Sequence, residues 1–229
     1  MYHVPACRAE QTDTALNRPR LYLVTPPVFD LEAFAPRLEA ALSGGDVACV
    51  LIYQPEATAK ALQDTAAKLV PMIQKAEAAA LIYRDTQVTG RTGADGAHID
   101  SSFEDIKLAM ESLQPARIVG AGGTKMKHEE MEIAESGVDY LFFGRLDLEE
   151  QPGAHAKTLE RAEWWAELFS TPCVALGGND LATLGETADT KADFVALKDA
   201  IWQHPEGPAQ AVRLANAILD QHPFEEDEE

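Results

Sequence analysis

Three basic residues, Arg84, Lys125 and Arg145, stand just beyond short apolar runs, and two other turns at the ends of such runs are rich in glycine. The first turn reads Ile118-Val119-Gly120-Ala121-Gly122-Gly123 and the second Cys173-Val174-Ala175-Leu176-Gly177-Gly178-Asn179. Glycine backbone ahead of a helix binds oxyanions, because no side chain blocks approach to the N–H groups and the start of a helix is partly positive. Gly120, Gly122, Gly123, Gly177, Gly178 and Asn179 are therefore candidates for a phosphate cradle, with Arg84, Lys125 and Arg145 as candidate cations. Asp85 ends its run and is a candidate ligand-facing carboxylate. Each has a plainer alternative: glycines that only permit tight packing, and cations that are merely solvated. His98 lies mid-run in apolar surroundings and reads as a hydrogen-bonded core histidine rather than an acid or base.

The runs that must carry these residues are Leu21 to Thr25, Ala48 to Tyr53, Ala79 to Arg84, Asp95 to Ile99, Arg117 to Ala121, Asp139 to Gly144, Pro172 to Gly177 and Asp193 to Lys198. They are short and nearly continuous in apolar residues, the pattern of parallel strands covered on both faces. Helical spacing separates several of them: Leu62, Ala66, Leu69 and Ile73; Phe103, Ile106, Met110 and Leu113; Val212, Ala215, Ile218 and Leu219. Ser101 with Glu104 has capping-box spacing, and Asp30 and Asn179 or Asp180 are candidate caps. Pro71 is expected to end or kink its helix. Asp85 to Ala94 reads as a loop or a single helical turn.

Such alternation fits either a (β/α)8 TIM barrel in a single domain or an open doubly wound sheet. A dinucleotide-binding sheet would place a glycine-rich turn after its first strand, where this chain has Pro26-Pro27, so the barrel is preferred. Barrel chemistry sits at the C-terminal ends of the strands, often with phosphate on the last two βα loops. A length of 229 residues suits one barrel, which needs about 200–250. The expected layout is a leader at 1–20, the barrel at 21–222 and an acidic tail at 223–229.

A formal charge of −19 argues against nucleic acid or an anionic membrane surface as partner. No apolar run reaches the roughly 18 residues of a membrane span, and the start lacks a signal-peptide pattern. The 3 cysteines, Cys7, Cys49 and Cys173, are sparse and odd in number, which points to a reduced, cytoplasmic protein. Trp164, Trp165 and Phe169 fit helix-on-barrel or subunit packing, which leaves a homo-oligomer open.

Five segments in collinear order carry a resemblance: Leu21 to Thr25, Gly93 to His98, Ile118 to Gly120, Gly137 to Tyr140 with Phe143-Gly144, and Val174 to Gly178. Together they resemble the thiamin phosphate synthase and TenI family over about residues 20–220. The resemblance implies a barrel that joins an aminomethylpyrimidine pyrophosphate to a thiazole phosphate, with Mg²⁺ on the pyrophosphate. A cationic pyrimidine would form as pyrophosphate departs, which requires positive charge and donors around the leaving group.

The resemblance also implies an Arg–Lys pair after the second strand, where this chain reads Gln54-Pro55-Glu56. It implies Asn-Asp after the third, here Arg84-Asp85, and a Gln with a nearby Asp after the fourth, here His98-Ile99-Asp100-Ser101. Arg145 to Glu150 takes the place of a Thr-rich loop with Lys, and Asp199 lies near the place of a Ser. The TenI branch carries a His after the fifth strand, where this chain has Thr124 and Lys125; His128 is expected on an exposed helix face.

The expectation is thus a divergent transferase in which Arg84, Lys125 and Arg145 replace the missing pair. Asp85 and Asp100, with Asp105 as a further oxygen donor, are the candidate Mg²⁺ ligands. The alternatives are a non-catalytic binder or regulator of a phosphorylated small molecule, and another barrel enzyme acting on such a molecule.

Overall fold

The computed structural model describes residues 17–224, so Cys7 and the Glu225 to Glu229 run lie outside the described residues. Eight parallel strands close into a barrel in sequence order: β1 (Arg20–Val24), β2 (Cys49–Ile52), β3 (Ala79–Tyr83), β4 (Gly96–Ile99), β5 (Ile118–Ala121), β6 (Tyr140–Phe143), β7 (Cys173–Leu176) and β8 (Phe194–Leu197). The pairing of β1 with β8, Leu21 opposite Val195, makes the sheet a cylinder and rules out the open alternative.

Helices α1 (Leu31–Leu42), α2 (Ala59–Lys75), α3 (Thr86–Thr92), α4 (Phe103–Leu113), α5 (Lys127–Glu135), α6 (Ala156–Leu168), α7 (Leu184–Ala188), α8 (Asp199–Trp202) and α9 (Pro208–Leu219) accompany the strands. Side chains alternate along each strand. Leu21 and Leu23 pack outward among Phe34, Leu38 and Val212, whereas Tyr22 and Val24 point inward with Leu51, Leu81, Tyr140 and Phe142. The apolar runs look continuous because both faces are dry.

Asp30 caps α1 by accepting from the Ala33 N–H at 2.9 Å, and Asp180 accepts from Ala182 at 2.9 Å at the short 3₁₀ turn Leu181–Thr183. Two local expectations are corrected, and of the two outcomes expected at Pro71, an end or a kink, the first is set aside. The capping box uses Ser102 and Asp105 rather than Ser101 and Glu104: the hydroxyl accepts from Asp105 N–H at 3.1 Å and the carboxylate from Ser102 N–H at 3.2 Å. Pro71 lies inside α2 without ending it. The segment after β3 forms the seven-residue α3, because Asp85 caps its start and Gly93, at φ 70°, closes it in the left-handed region.

At the N-terminal end of the barrel, a carboxylate precedes every even strand and grips the odd strand before it. Asp46 takes both arms of Arg20, at 2.6 and 3.0 Å. Asp95, Asp139 and Asp193 accept the backbone N–H of Ala80, Val119 and Cys173 at 2.7, 2.9 and 2.8 Å. Arg18, within the expected leader, is buried and bonds Asp220 and Asn216 of the last helix. Among the described residues no helix is long and apolar enough to cross a membrane.

Candidate functional site

The opposite end of the barrel holds the residues singled out for chemistry. Its interior is filled by aromatic rings: Tyr53 packs edge-on to Tyr83 at 4.7 Å, and His98 stacks on Tyr140 at 5.8 Å. The Tyr140 hydroxyl links Tyr22 Oη, at 3.0 Å, to His98 Nδ1, at 3.1 Å. His98 is 1% exposed, as expected of a core histidine, and burial pushes its pKa down from 6.5 to about 4, with Arg84 also lowering it and Asp100 opposing.

A neutral His98 sets a pH dependence whose sign follows from linkage. Below pH 6.5 the unfolded chain takes up a proton that the folded chain refuses until about pH 4, so stability falls as pH drops through that window. The loss is on the order of 3 kcal/mol. Denaturant midpoints at pH 7 and pH 4.5 check it: His98→Phe should lose less stability than the native chain over that interval, and an equal loss overturns the assignment.

Around the rim, Arg84 donates through Nε to Asp100 Oδ1 and lies over the Tyr83 ring, while Asp100 Oδ2 accepts from Tyr83 Oη at 3.1 Å. Arg145 forks onto Asp147, holding that carboxyl below the usual carboxylate range. The Tyr53 phenol is pushed up by burial and then by Asp100 and Asp147, with Arg84 opposing.

Beside this rim, between the ends of β5 and β6, lies a cavity of about 330 Å³ lined by Lys125, Arg145, His155, Lys157 and Arg161 with Phe142, Phe143 and Leu148. None of its described lining side chains is a carboxylate, in a chain of net charge −19. Arg161 is fixed by the fully buried Glu130 and by Thr124, whose carbonyl and hydroxyl oxygens each accept from it at 3.0 Å.

The structure thus gathers Lys125 and Arg145 at one cavity and leaves Arg84 on the rim with Asp100. The glycines differ in what surrounds them. A side chain on Gly120 would collide with the Tyr140 ring, on Gly177 with Leu197, and on Gly178 with the Pro152 carbonyl. Gly122 lies against His98 and Phe142, and Gly123, at φ 74°, stands against the Asp100 carbonyl. The Asn179 N–H donates to Gln151 O at 2.9 Å.

Known proteins can be set beside this geometry. Residues 21–201 match the family model described as thiamine monophosphate synthase, of the TMP-TENI type. The chain belongs to this family. It is 36% identical over 202 residues to the thiamine-phosphate synthase of Rhodospirillum centenum, covering 87% of this chain and 97% of that one. It is also 36% identical over 217 residues to the thiamine-phosphate synthase of Hyphomonas neptunium, covering 91% and 98%. The fold agrees with that of thiamine phosphate pyrophosphorylase from Pyrococcus furiosus, TM-score 0.73 at 23% identity, covering 90% and 97%.

Within this thiamin phosphate synthase and TenI family member, the candidate metal ligands have other duties. Asp85 Oδ1 accepts from Val88 N–H at 2.8 Å, and both Asp100 oxygens are engaged. Asp105 is committed to its cap. Among the described residues no group of three or more His, Cys, Asp or Glu is placed to hold a metal. These side chains do not form a resident metal seat; Mg²⁺ brought by a phosphorylated ligand would need only one or two protein carboxylates. His128 is exposed on α5, as expected.

Sequence reasoning missed His155, Lys157 and Arg161, which come from the loop after β6 and from α6. The signal available was Lys157-x-x-x-Arg161, a spacing that puts two cations on one helix face near its start.

Proposed function

We propose that this chain is a transferase of the thiamin phosphate synthase type, acting in thiamin biosynthesis to join a pyrimidine pyrophosphate to a thiazole phosphate. The observation that carries the reading is the basic cavity: Lys125, Arg145, His155, Lys157 and Arg161 converge on it while the rest of the chain is strongly acidic. Such a cluster holds a di- or tri-anion and stabilises charge as it develops on a departing pyrophosphate, more strongly than it would in open water.

In this reading Lys125 is the principal cation, and Arg145, held in place by Asp147, turns its remaining donors to the ligand. Arg84 guards the rim, its charge partly spent on Asp100. Gly122 and Gly123 let the turn after β5 pass close to His98 and the Asp100 carbonyl on its way to Lys125. Asp85 and Asp100 meet a metal only where the substrate brings one.

The test mixes the two phosphorylated precursors with enzyme and Mg²⁺ and follows thiamin phosphate by chromatography. Product is expected, with Lys125→Met and Arg145→Met each lowering kcat/KM roughly 10²-fold. No product at high enzyme concentration overturns it.

A second reading, a non-catalytic binder or regulator on the same scaffold, is favoured by the turn after β7, whose glycine side is covered by the chain's own residues 151–153. Calorimetric binding of a phosphorylated precursor without turnover would select it.

A further inference from the structure

Thr124 and Lys125 stand on the wall between two cavities. One is the basic cavity, and the other, of about 290 Å³, has Ser101, Ser102, Glu129 and Glu132 in its lining. The first offers cations with no carboxylate among its described lining side chains, and the second offers two carboxylates. Charge alone draws a lysine on such a wall toward the acidic side and away from the basic one. Its use to an anion in the basic cavity depends on how the loop after β5 is held.

That loop is pinned at three consecutive residues. The Glu129 carboxylate of α5 accepts the N–H of Lys125 at 2.9 Å and that of Met126 at 3.1 Å. The Arg161 guanidinium of α6 donates to the carbonyl and hydroxyl oxygens of Thr124, each at 3.0 Å. The same hydroxyl donates in turn to Glu130 Oε1 at 3.2 Å, and Glu130 pairs with Arg161, which closes a ring of three side chains. Stability does not account for this ring. Glu130 is fully buried, and its Oε2 and Arg161 Nε are buried without a hydrogen-bond partner among the described residues. Buried ion pairs exchange for apolar side chains with little net change, and orphaned polar atoms add a penalty.

We propose that Arg161 and Glu130 are positioning residues that act through Lys125. Their grip on Thr124 sets the loop so that the Lys125 ammonium serves the basic cavity instead of Glu129 and Glu132. Arg161, its charge balanced by Glu130 and its terminal nitrogens committed, supplies position more than charge. A cation held in place beforehand binds more tightly than one that must be ordered on binding. The proposal rests on the reading of the basic cavity as an anion site, and its test reads binding and labelling, not turnover.

Thr124→Val removes the hydroxyl, keeps the side-chain shape and alters no charge. Inorganic pyrophosphate is titrated by calorimetry into the full-length native chain, Thr124→Val, Lys125→Met and the double variant, each checked for folding by its melting transition. Thr124→Val should weaken binding at least threefold, and Thr124→Ser, which keeps the hydroxyl, should stay within twofold of native. In the Lys125→Met background the same change should alter affinity less than twofold, because the residue it positions is gone. A smaller loss in the native background overturns the proposal. So does a loss undiminished without Lys125, which would show the hydroxyl meeting the anion itself. Should Thr124→Val not fold, Glu130→Leu with Arg161→Met takes its place in the same cycle.

A native chain that does not bind pyrophosphate sinks the reading of the cavity, and labelling then decides the clamp. Acetylation of Lys125 by acetic anhydride, followed by mass spectrometry, should slow at least threefold in Thr124→Val, because carboxylates gathered around an ammonium hold its proton. An unchanged rate overturns the clamp.

Discussion

Gly120→Ala is expected to cost about 3–5 kcal/mol and to take the fold close to its limit of stability. The added methyl would stand 1.9 Å from Cζ of Tyr140 and 2.2 Å from Cε1, inside a closed cylinder of strands. Tyr140 is 1% exposed and cannot swing into solvent. Moving it breaks the hydroxyl link between Tyr22 and His98, leaving buried polar atoms unpaired, so overpacking and lost hydrogen bonds add together.

Chemical denaturation with matched m-values measures the cost. Gly120→Ala combined with Tyr140→Leu, which removes the clashing ring, should cost less than the sum of the two single changes. A single substitution that costs under about 1 kcal/mol would show that the strand can shift, contrary to the register here.

Arg161→Met carries the second large effect. Glu130 is fully buried, and its charge is balanced by the Arg161 guanidinium, with Thr124 Oγ1 donating to Oε1 at 3.2 Å. Taking away the cation leaves a carboxylate in a dry site, a change that costs about 3–5 kcal/mol. Replacing both partners, as in Glu130→Leu with Arg161→Met, should recover most of the loss, because buried ion pairs exchange for apolar residues with little net change. Thermal and denaturant unfolding of the two single variants and the double variant complete the cycle. A double variant no more stable than Arg161→Met alone would place the value of Arg161 in its bonds to Thr124 instead.

The barrel was legible because its strands have no wet face. Runs such as Cys49 to Ile52 and Phe194 to Leu197 are apolar at every position, and helical spacing between such runs leaves few architectures. The parity of each strand was not visible: nothing in the row of letters says that Gly120 lies beside Tyr140 on the neighbouring strand with the ring over it. That depends on which strands become neighbours and with what stagger, a property of closure rather than of local preference.

The site was legible in half. Lys125 and Arg145 follow strand ends and were found by position, whereas Lys157 and Arg161 lie on an ordinary polar helix and join the cavity only once α6 docks. Glu150 read as one of a run of acids, and its burial against Lys198 and the Asp199 N–H at the end of β8 is a long-range event with no local mark. Ser102 rather than Ser101 caps α4, since the helix starts at Phe103 and Asp105 at its third position completes the box.

The four aspartates at the quiet end of the barrel give the molecule a grain. Each one belongs to an even strand and reaches back to the odd strand before it, so the cylinder is bolted as four two-stranded staves. Stagger within a stave is fixed at the N-terminal end, and among the described residues the seam between β4 and β5 is tied there differently, by Arg117 Nε donating to Ala94 O at 3.2 Å. Loops at the far rim can then lengthen, shorten or exchange their side chains without disturbing how the staves line up. A frame bolted in this way closes the same cylinder whatever side chains its far rim carries.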